Sequence, residues 1–383
     1  MKKKVIAAGH ICLDITPVFP EMKAESLDQV LSPGKLLQMD RADVHTGGAV
    51  ANTGLAMKKL GADVRLAGKI GKDAFGELIL NILKKYDAQE GMTVSEGEST
   101  SYSVILAVPG IDRIFLHNPG ANDSFCADDI QDELLKDAAL FHFGYPPLMR
   151  SMYQNDGQEL VKLLQKVKRA GTAVSLDMAA VDPGSEPGKA DWKTILEKTL
   201  PFVDFFVPSA EELCYMLDRE RFYQWQERAR GGDVTQILDP EKDIRPLAEM
   251  CMDMGCQILL IKCGAPGMYF KTADSRHLEP LCSGLEMDPA LWGGREIFER
   301  SYIPERILSG TGAGDTSIAA FLTAVLKGCG PEACLHLAAA AGASCVAEYD
   351  ALSGIGTLRE LEEKINRGWK KDIKEENHAG KFK

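Results

Sequence analysis

A carboxylate set among glycines at the start of an apolar helix can serve two purposes. The stretch "SGTGAGDTSIAAFLTAVLKG" at 309–328 offers that arrangement around Asp315. Gly310, Gly312 and Gly314 let the backbone turn tightly and leave its N–H groups uncovered. First-turn amides have no partner inside a helix, and the macrodipole adds positive potential there. Gly312, Ala313 and Gly314 are therefore candidates to cradle the charge that develops on a phosphoryl group. Asp315, held ionised by the same field, could take a proton from a nearby hydroxyl. The plainer alternative is that Asp315 caps the helix and the glycines only make a turn. Two familiar phosphate motifs fail here. The glycines lack the third position of a dinucleotide fingerprint, and "AGKIGKD" at 67–73 lacks the Ser or Thr that a P-loop needs.

A second group of polar residues lies in the N-terminal third. "GHICLD" puts Asp14 just past a first strand, where open α/β sheets bind ligands. In "TGGAVANTG", Gly47 and Gly48 permit close backbone approach, and Asn52 faces the same direction from the first turns of a helix. A carboxylate, two bare glycines and an amide suit a polyhydroxylated ligand, whose hydroxyls want donors and acceptors together. The bland alternatives are a surface turn for Asp14 and a packing amide for Asn52.

These residues need a scaffold, and the hydrophobic periodicity supplies one. Short β-rich runs such as "KVIAAG" (4–9) and "DVRLAGKIG" (63–71) alternate with helical stretches such as "AVANTGLAMKKLG" (49–61). The rhythm resumes after residue 138 and predicts a parallel sheet with helices on both faces. Two stretches interrupt it. Residues 15–46 carry prolines and no good helix, and 98–118 read as two strands joined near Pro109 and Gly110. Together they predict a small β-layer beside the main sheet. The charged segment 218–243 and the turn-rich segment 282–306 read as insertions.

Length and composition fit this scaffold. The chain has 383 residues, 45% of them hydrophobic and 26% charged, enough for a sizeable core. A formal net charge of −12 argues against nucleic acid or anionic lipid as a general partner. The basic tip "MKKKVIAAG" has too short an apolar run for a signal peptide, and no run approaches the ~18 apolar residues of a membrane span. The ten cysteines are scattered without zinc-site spacing. Reduced thiols in a cytoplasmic protein are the expectation.

Two segments, "GGAVANTGLAMKKLGADVRLAGKIGKDAFGELI" (47–79) and "GTGAGDTSIAAFLTAVLKG" (310–328), resemble the paired signatures of the ribokinase-like sugar and nucleoside kinases, the PfkB family. They stand in the family's order, and the resemblance covers nearly the whole chain. It implies a single domain, 1–383, built as a three-layer α/β/α sandwich with a mostly parallel sheet. A small β-sheet lid would come from 15–46 and 98–118. The implied activity is transfer of the γ-phosphoryl group of ATP, with Mg2+, to a hydroxyl of a sugar or sugar-like acceptor. By position Asp315 would be the base, and Gly312, Ala313 and Gly314 the anion-hole amides. Asp14, Gly47, Gly48 and Asn52 would hold the sugar.

On the nucleotide side, Thr311 would contact ATP, and "IKCGAPGMYF" (261–270) would set Gly264 and Gly267 against it. Lys262 replaces the usual threonine there, either touching a phosphate or covering the adjacent surface. The Ala-rich helix at 332–344 would line the adenine pocket, pack closely, or both. The family's Asn-x-x-Glu motif reads "SAEE", with Ser209 for Asn and Glu212 kept for the metal. Two further departures bear on chemistry. Ser309 stands where cation-activated members carry an aspartate, which weakens the case for potassium. Gly144 stands where a ribose kinase carries an acid, so ribose is not the default acceptor. A nucleoside kinase, or a non-catalytic sugar-binding protein on the same fold, are the competing readings. The expected partners are a small-molecule substrate and a second copy through the lid edge, with no nucleic acid and no membrane.

Overall fold

β1 (Lys4–Gly9) shows why the apolar runs form a layered sheet. Val5 and Ala7 enter one hydrophobic cluster, Ile6 and Ala8 the other, and all four are sealed from solvent. A strand apolar on both faces belongs inside a parallel sheet covered above and below. In the computed structural model, which describes residues 3–20, 26–111 and 113–372, β1 lies between two parallel neighbours. They are β4 (Asp63–Gly71) and β8 (Ala138–Gly144). Beyond β4 comes β5 (Met92–Ser95). Beyond β8 come β9 (Ala173–Asp177), β10 (Phe205–Phe206) and β11 (Ile258–Lys262), all parallel. β12 (Gly267–Thr272) and β13 (Glu296–Arg300) complete the nine strands antiparallel.

The chain leaves β1 for β4 on one side and returns to β8 on the other, so the strand order reverses between β1 and β8. Ligands bind outside the carboxyl ends of strands at such a switch point. Gly9 and Gly144 pair across it, and the His10 N–H donates to the Gly144 carbonyl at 3.1 Å. The residues that follow each strand, His10 and Tyr145, therefore emerge side by side.

The two interruptions do form a second sheet, ordered β3–β2–β6–β7. Its strands are β2 (Cys12–Pro17), β3 (Ala42–Gly47), β6 (Tyr102–Leu106) and β7 (Ile114–Asn118). It starts three residues earlier than expected, so Asp14 lies inside a strand rather than in a loop after β1. Asn122, wholly buried, fixes the short link between the sheets by accepting from the Ile11 N–H at 3.2 Å and donating to the Ile11 carbonyl at 2.8 Å. Residues 21–25 and 112 of the expected lid lie outside the described residues.

The supposed insertions are partly structural. Segment 282–306 supplies β13, an edge strand of the main sheet, and is not only turns. Segment 218–243 opens with helix Arg219–Ala229, fastened where Trp225 and Arg228 both donate to Asp243. Helix Pro331–Cys345 packs on helix Ala313–Leu326, with Ala338, Ala340 and Ala341 fully buried. Small side chains there bring two backbones together, which is the packing alternative for the Ala-rich stretch. Among the described residues no helix is long and apolar enough to cross a membrane.

Candidate active site

Gly312 starts the helix that carries Asp315. It is the N-cap, in the left-handed region at φ 74°, and a Cβ there would run into the Ala351 side chain. Asp315 then falls in the first turn but makes no capping bond. Its carboxylate is held instead by three side chains from other elements. Thr53 Oγ1 donates to Oδ1 at 3.0 Å, Asn52 Nδ2 donates to Oδ2 at 3.1 Å, and the Tyr145 hydroxyl lies 2.8 Å from both oxygens. Burial raises the Asp315 carboxyl above the ordinary aspartate range, against the pull of Lys262 and the three donors. The cap alternative therefore fails on geometry. Of the proposed anion-hole amides, the Ala313 N–H donates to the Gly310 carbonyl at 3.3 Å, a long turn bond that a ligand would have to open.

Lys262, at the end of β11, lies beside this helix start. Its stem runs past Gly314, where an added Cβ would meet Lys262 Cδ at 3.3 Å. Its ammonium pairs with Asp177 Oδ1 at 2.7 Å, and Asp177 is 1% exposed with Oδ2 unpartnered. Burial pushes Asp177 up to about 8, with Lys262 opposing and Glu212 and Asp315 adding to the rise. Burial likewise pulls Lys262 down, but Asp177 and Glu212 more than offset it, so the ammonium stays charged. Ser209 and Glu212 form a capping box on helix Ala210–Leu217, with the Ser209 N–H donating to Glu212 Oε2 at 2.8 Å. Gly264 lies against Thr235, and Gly267 against the Glu299 carbonyl of β13. Thr311 accepts a 3.0 Å bond from Ser309, which Arg113 of the small sheet also reaches at 3.3 Å.

Asp14 stands in β2 of the small sheet. Gly47 is required beside it, because a Cβ at 47 would overlap the Asp14 carboxylate, and Gly48 caps helix Ala49–Lys59 at φ 85°. Burial raises the Asp14 carboxyl, against bonds from Cys12 and Ser103. His10 sits between Gly48, His117 and Tyr145, its ring centroid 5.2 Å from that of His117 and 6.2 Å from that of Tyr145. It is 2% exposed, and neither ring nitrogen has a partner among the described residues. Burial, then His117, lower it to about 3, so it is a neutral imidazole. Sequence reasoning missed His10, Tyr145, Thr53 and Asp177. A signal existed for two of them: Asp177 ends a predicted strand as an acid, and Tyr145 begins the "YPP" that follows another.

A cleft of about 1230 Å³ opens between the small sheet, helix Ala49–Lys59 and the segment leading into the Asp315 helix. Asp14 and Asp43 line it from the small sheet, and Ser309, Gly310 and Thr311 from the approach to the Asp315 helix. Asn52 joins the two sides, lining the cleft and bonding Asp315 at once.

This architecture has known relatives. An "uncharacterized sugar kinase" of Archaeoglobus fulgidus is 24% identical over 302 residues, 79% of this chain and 98% of that one. A 5-dehydro-2-deoxygluconokinase of Clostridium perfringens is 23% identical over 375 residues, 96% of this chain and 94% of the relative. The solved structure of a fructokinase with bound ATP from Xylella fastidiosa shares the fold, with a TM-score of 0.68 at 19% identity over 96% and 99% of the two chains. The family profile described as pfkB family carbohydrate kinase matches residues 3–357. Matched by that profile over most of its length and folded as a ribokinase-like sandwich, the chain belongs to the pfkB family of carbohydrate kinases and is a phosphotransferase.

Proposed function

We propose that the protein transfers the γ-phosphoryl group of ATP to a hydroxyl of a sugar or sugar acid. One observation carries this reading: Asn52 touches the buried Asp315 and lines the cleft that Asp14 also enters. Asp14 and the Gly47–Gly48 turn would orient the acceptor, with one hydroxyl directed toward Asp315. The acceptor oxygen attacks the γ-phosphorus, the bond to ADP breaks, and Asp315 is the final proton acceptor. Such transfer is mostly positioning and charge stabilisation. The amides at the helix start, that of Ala313 once its turn bond to Gly310 opens, and the charged Lys262 would supply that stabilisation. The small sheet would close the cleft against water, which otherwise competes for the phosphoryl group. The sugar kinase, fructokinase and 5-dehydro-2-deoxygluconokinase names of the relatives support a sugar-type acceptor over a nucleoside.

Among the described residues no three acidic, His or Cys side chains converge as a metal cage. That suits Mg2+, which takes most of its ligands from phosphates and water. The buried, unpartnered Asp177 Oδ2 and the neighbouring Glu212 would hold it. When bound, the ion supplies neutralisation of phosphate charge.

The test is acceptor-dependent ADP release, with ATP and Mg2+, over a panel of sugars, sugar acids and nucleosides. At least one sugar or sugar acid should give phosphorylated product. A protein that binds sugars yet releases no ADP with any of them would be a binding protein on this fold.

A further inference from the structure

Two segments far apart in the chain meet at one hydrogen bond. Thr53 of helix Ala49–Lys59 donates its hydroxyl to Asp315 Oδ1 at 3.0 Å, across 262 positions of sequence. A threonine inside a helix ordinarily returns its hydroxyl to a carbonyl one turn back. Thr53 instead points across to helix Ala313–Leu326, and it is wholly buried. The second carboxylate oxygen is placed differently. Oδ2 takes Asn52 Nδ2 at 3.1 Å, and Asn52 lines the cleft. The Tyr145 hydroxyl spans both oxygens at 2.8 Å and so does not tell them apart. One oxygen is thus anchored inside the protein, and the other is joined to a residue on the cleft wall.

From this asymmetry we infer that Thr53 is a positioning residue, holding Oδ1 so that Oδ2 is the oxygen that receives the acceptor's proton. This rests on the kinase reading above. The acceptor approaches from the cleft on the Asn52 side, and its hydroxyl takes the amide's place at Oδ2. Its oxygen bonds the γ-phosphorus, the bond from phosphorus to ADP breaks with its electron pair left on ADP, and the proton ends on Oδ2. Thr53 touches neither substrate and acts only through the carboxylate. It fixes the carboxylate's rotation, and it donates to the charged form. That second effect favours ionisation, against the burial that raises this carboxyl. The competing picture is plain packing, in which Asp315 does no more than give a buried hydroxyl its partner.

Thr53→Val keeps the branched shape and removes the donor. The titratable groups facing Asp315 are Lys262 of β11, Asp177 of β9, Tyr145 after β8 and Cys345 of helix Pro331–Cys345, and the substitution leaves all four in place. The assay uses ATP, Mg2+ and the acceptor that gives most product in the panel above. Turnover should fall by about 10-fold to 10²-fold with little change in acceptor KM. The acid limb of the kcat/KM profile should move to higher pH, because the ionised form has lost a donor. Thr53→Ser keeps a hydroxyl and should restore both. Packing alone would lower the melting temperature and leave the limb where it was, and that result overturns the proposal. Should Val at 53 unfold the chain, Thr53→Cys offers a weaker donor and should move the limb the same way; an unmoved limb again overturns it. Carbon-13 titration of the Asp315 carboxyl, identified by its loss in Asp315→Asn, reads the contact without turnover. If the wild type phosphorylates nothing, the kinase reading falls. A carboxyl that titrates higher in Thr53→Val still assigns Thr53 its hold on Asp315, and one that titrates alike removes it.

Discussion

The two ends of the cleft are built differently. At the Asp315 end the charged groups are partnered apart from Asp177 Oδ2: the carboxylate has three donors, and Lys262 has Asp177 at 2.7 Å. At the small-sheet end, His10 is buried with both ring nitrogens unpartnered, and Asp14 is bonded only to neighbours within its own sheet. Satisfied groups are preorganised and serve the same reacting centre whatever the acceptor. Unsatisfied buried groups cost stability until a ligand supplies their partners. Under the proposed function, the first end would carry the common chemistry and the second the choice of acceptor.

The largest effect that could break this division is at Asp315. Asp315→Asn should keep its fold and substrate binding while turnover falls by roughly 10²-fold or more, read by steady-state kinetics beside a melting curve. Near-normal turnover would remove the base from the mechanism. Next is Lys262→Met, expected to slow turnover by roughly 10-fold to 10²-fold with little change in acceptor KM. Asp14→Asn should show the opposite pattern, raising acceptor KM by about 10-fold while ATP KM stays put. If the Lys262 and Asp14 variants altered the same constant, the two ends would not be separate devices.

The smallest effect is a pH dependence of stability. His10 is neutral in the fold, held down to about 3, whereas the unfolded chain would bind its proton near the ordinary value of 6.5. Between those values the unfolded state carries more protons, so this group's contribution is full above pH 6.5 and is lost as the pH falls. The slope is at most about 1.4 kcal/mol per pH unit. His10→Asn removes it, so the wild-type denaturant midpoint should fall relative to the variant's as the pH drops from 7 to 5. Parallel curves would mean that the imidazole titrates alike in the folded and unfolded chain.

Much of the scaffold was legible because burial writes itself into period. The strand runs at 4–9 and 63–71 became β1 and β4 at the same bounds, and the low-helix stretches became the small sheet. β13 was missed because "EIFER" is a short edge strand with charged ends, which reads as a turn region. Asp14 reads as lying just past the first strand because Gly9 and His10 suggest an ending, although the chain re-enters a strand at Cys12. The helix-start motif gave Asp315 and its glycines by local spacing alone. For Tyr145 the only sign is the "YPP" that follows a strand, since its bond to Asp315 joins residues 170 positions apart.

By itself, then, the sequence determined the layered sheet, its interruptions and the glycine-framed acid, because period, turn chemistry and helix-start physics act over a few residues. Only the tertiary structure decided that Asp315 is enclosed by Asn52, Thr53 and Tyr145, that Lys262 meets Asp177, and that His10 is left unpartnered. Those contacts depend on how separate strands align at the switch between β1 and β8, and side-chain partners across such distances are set by packing, not by local pattern.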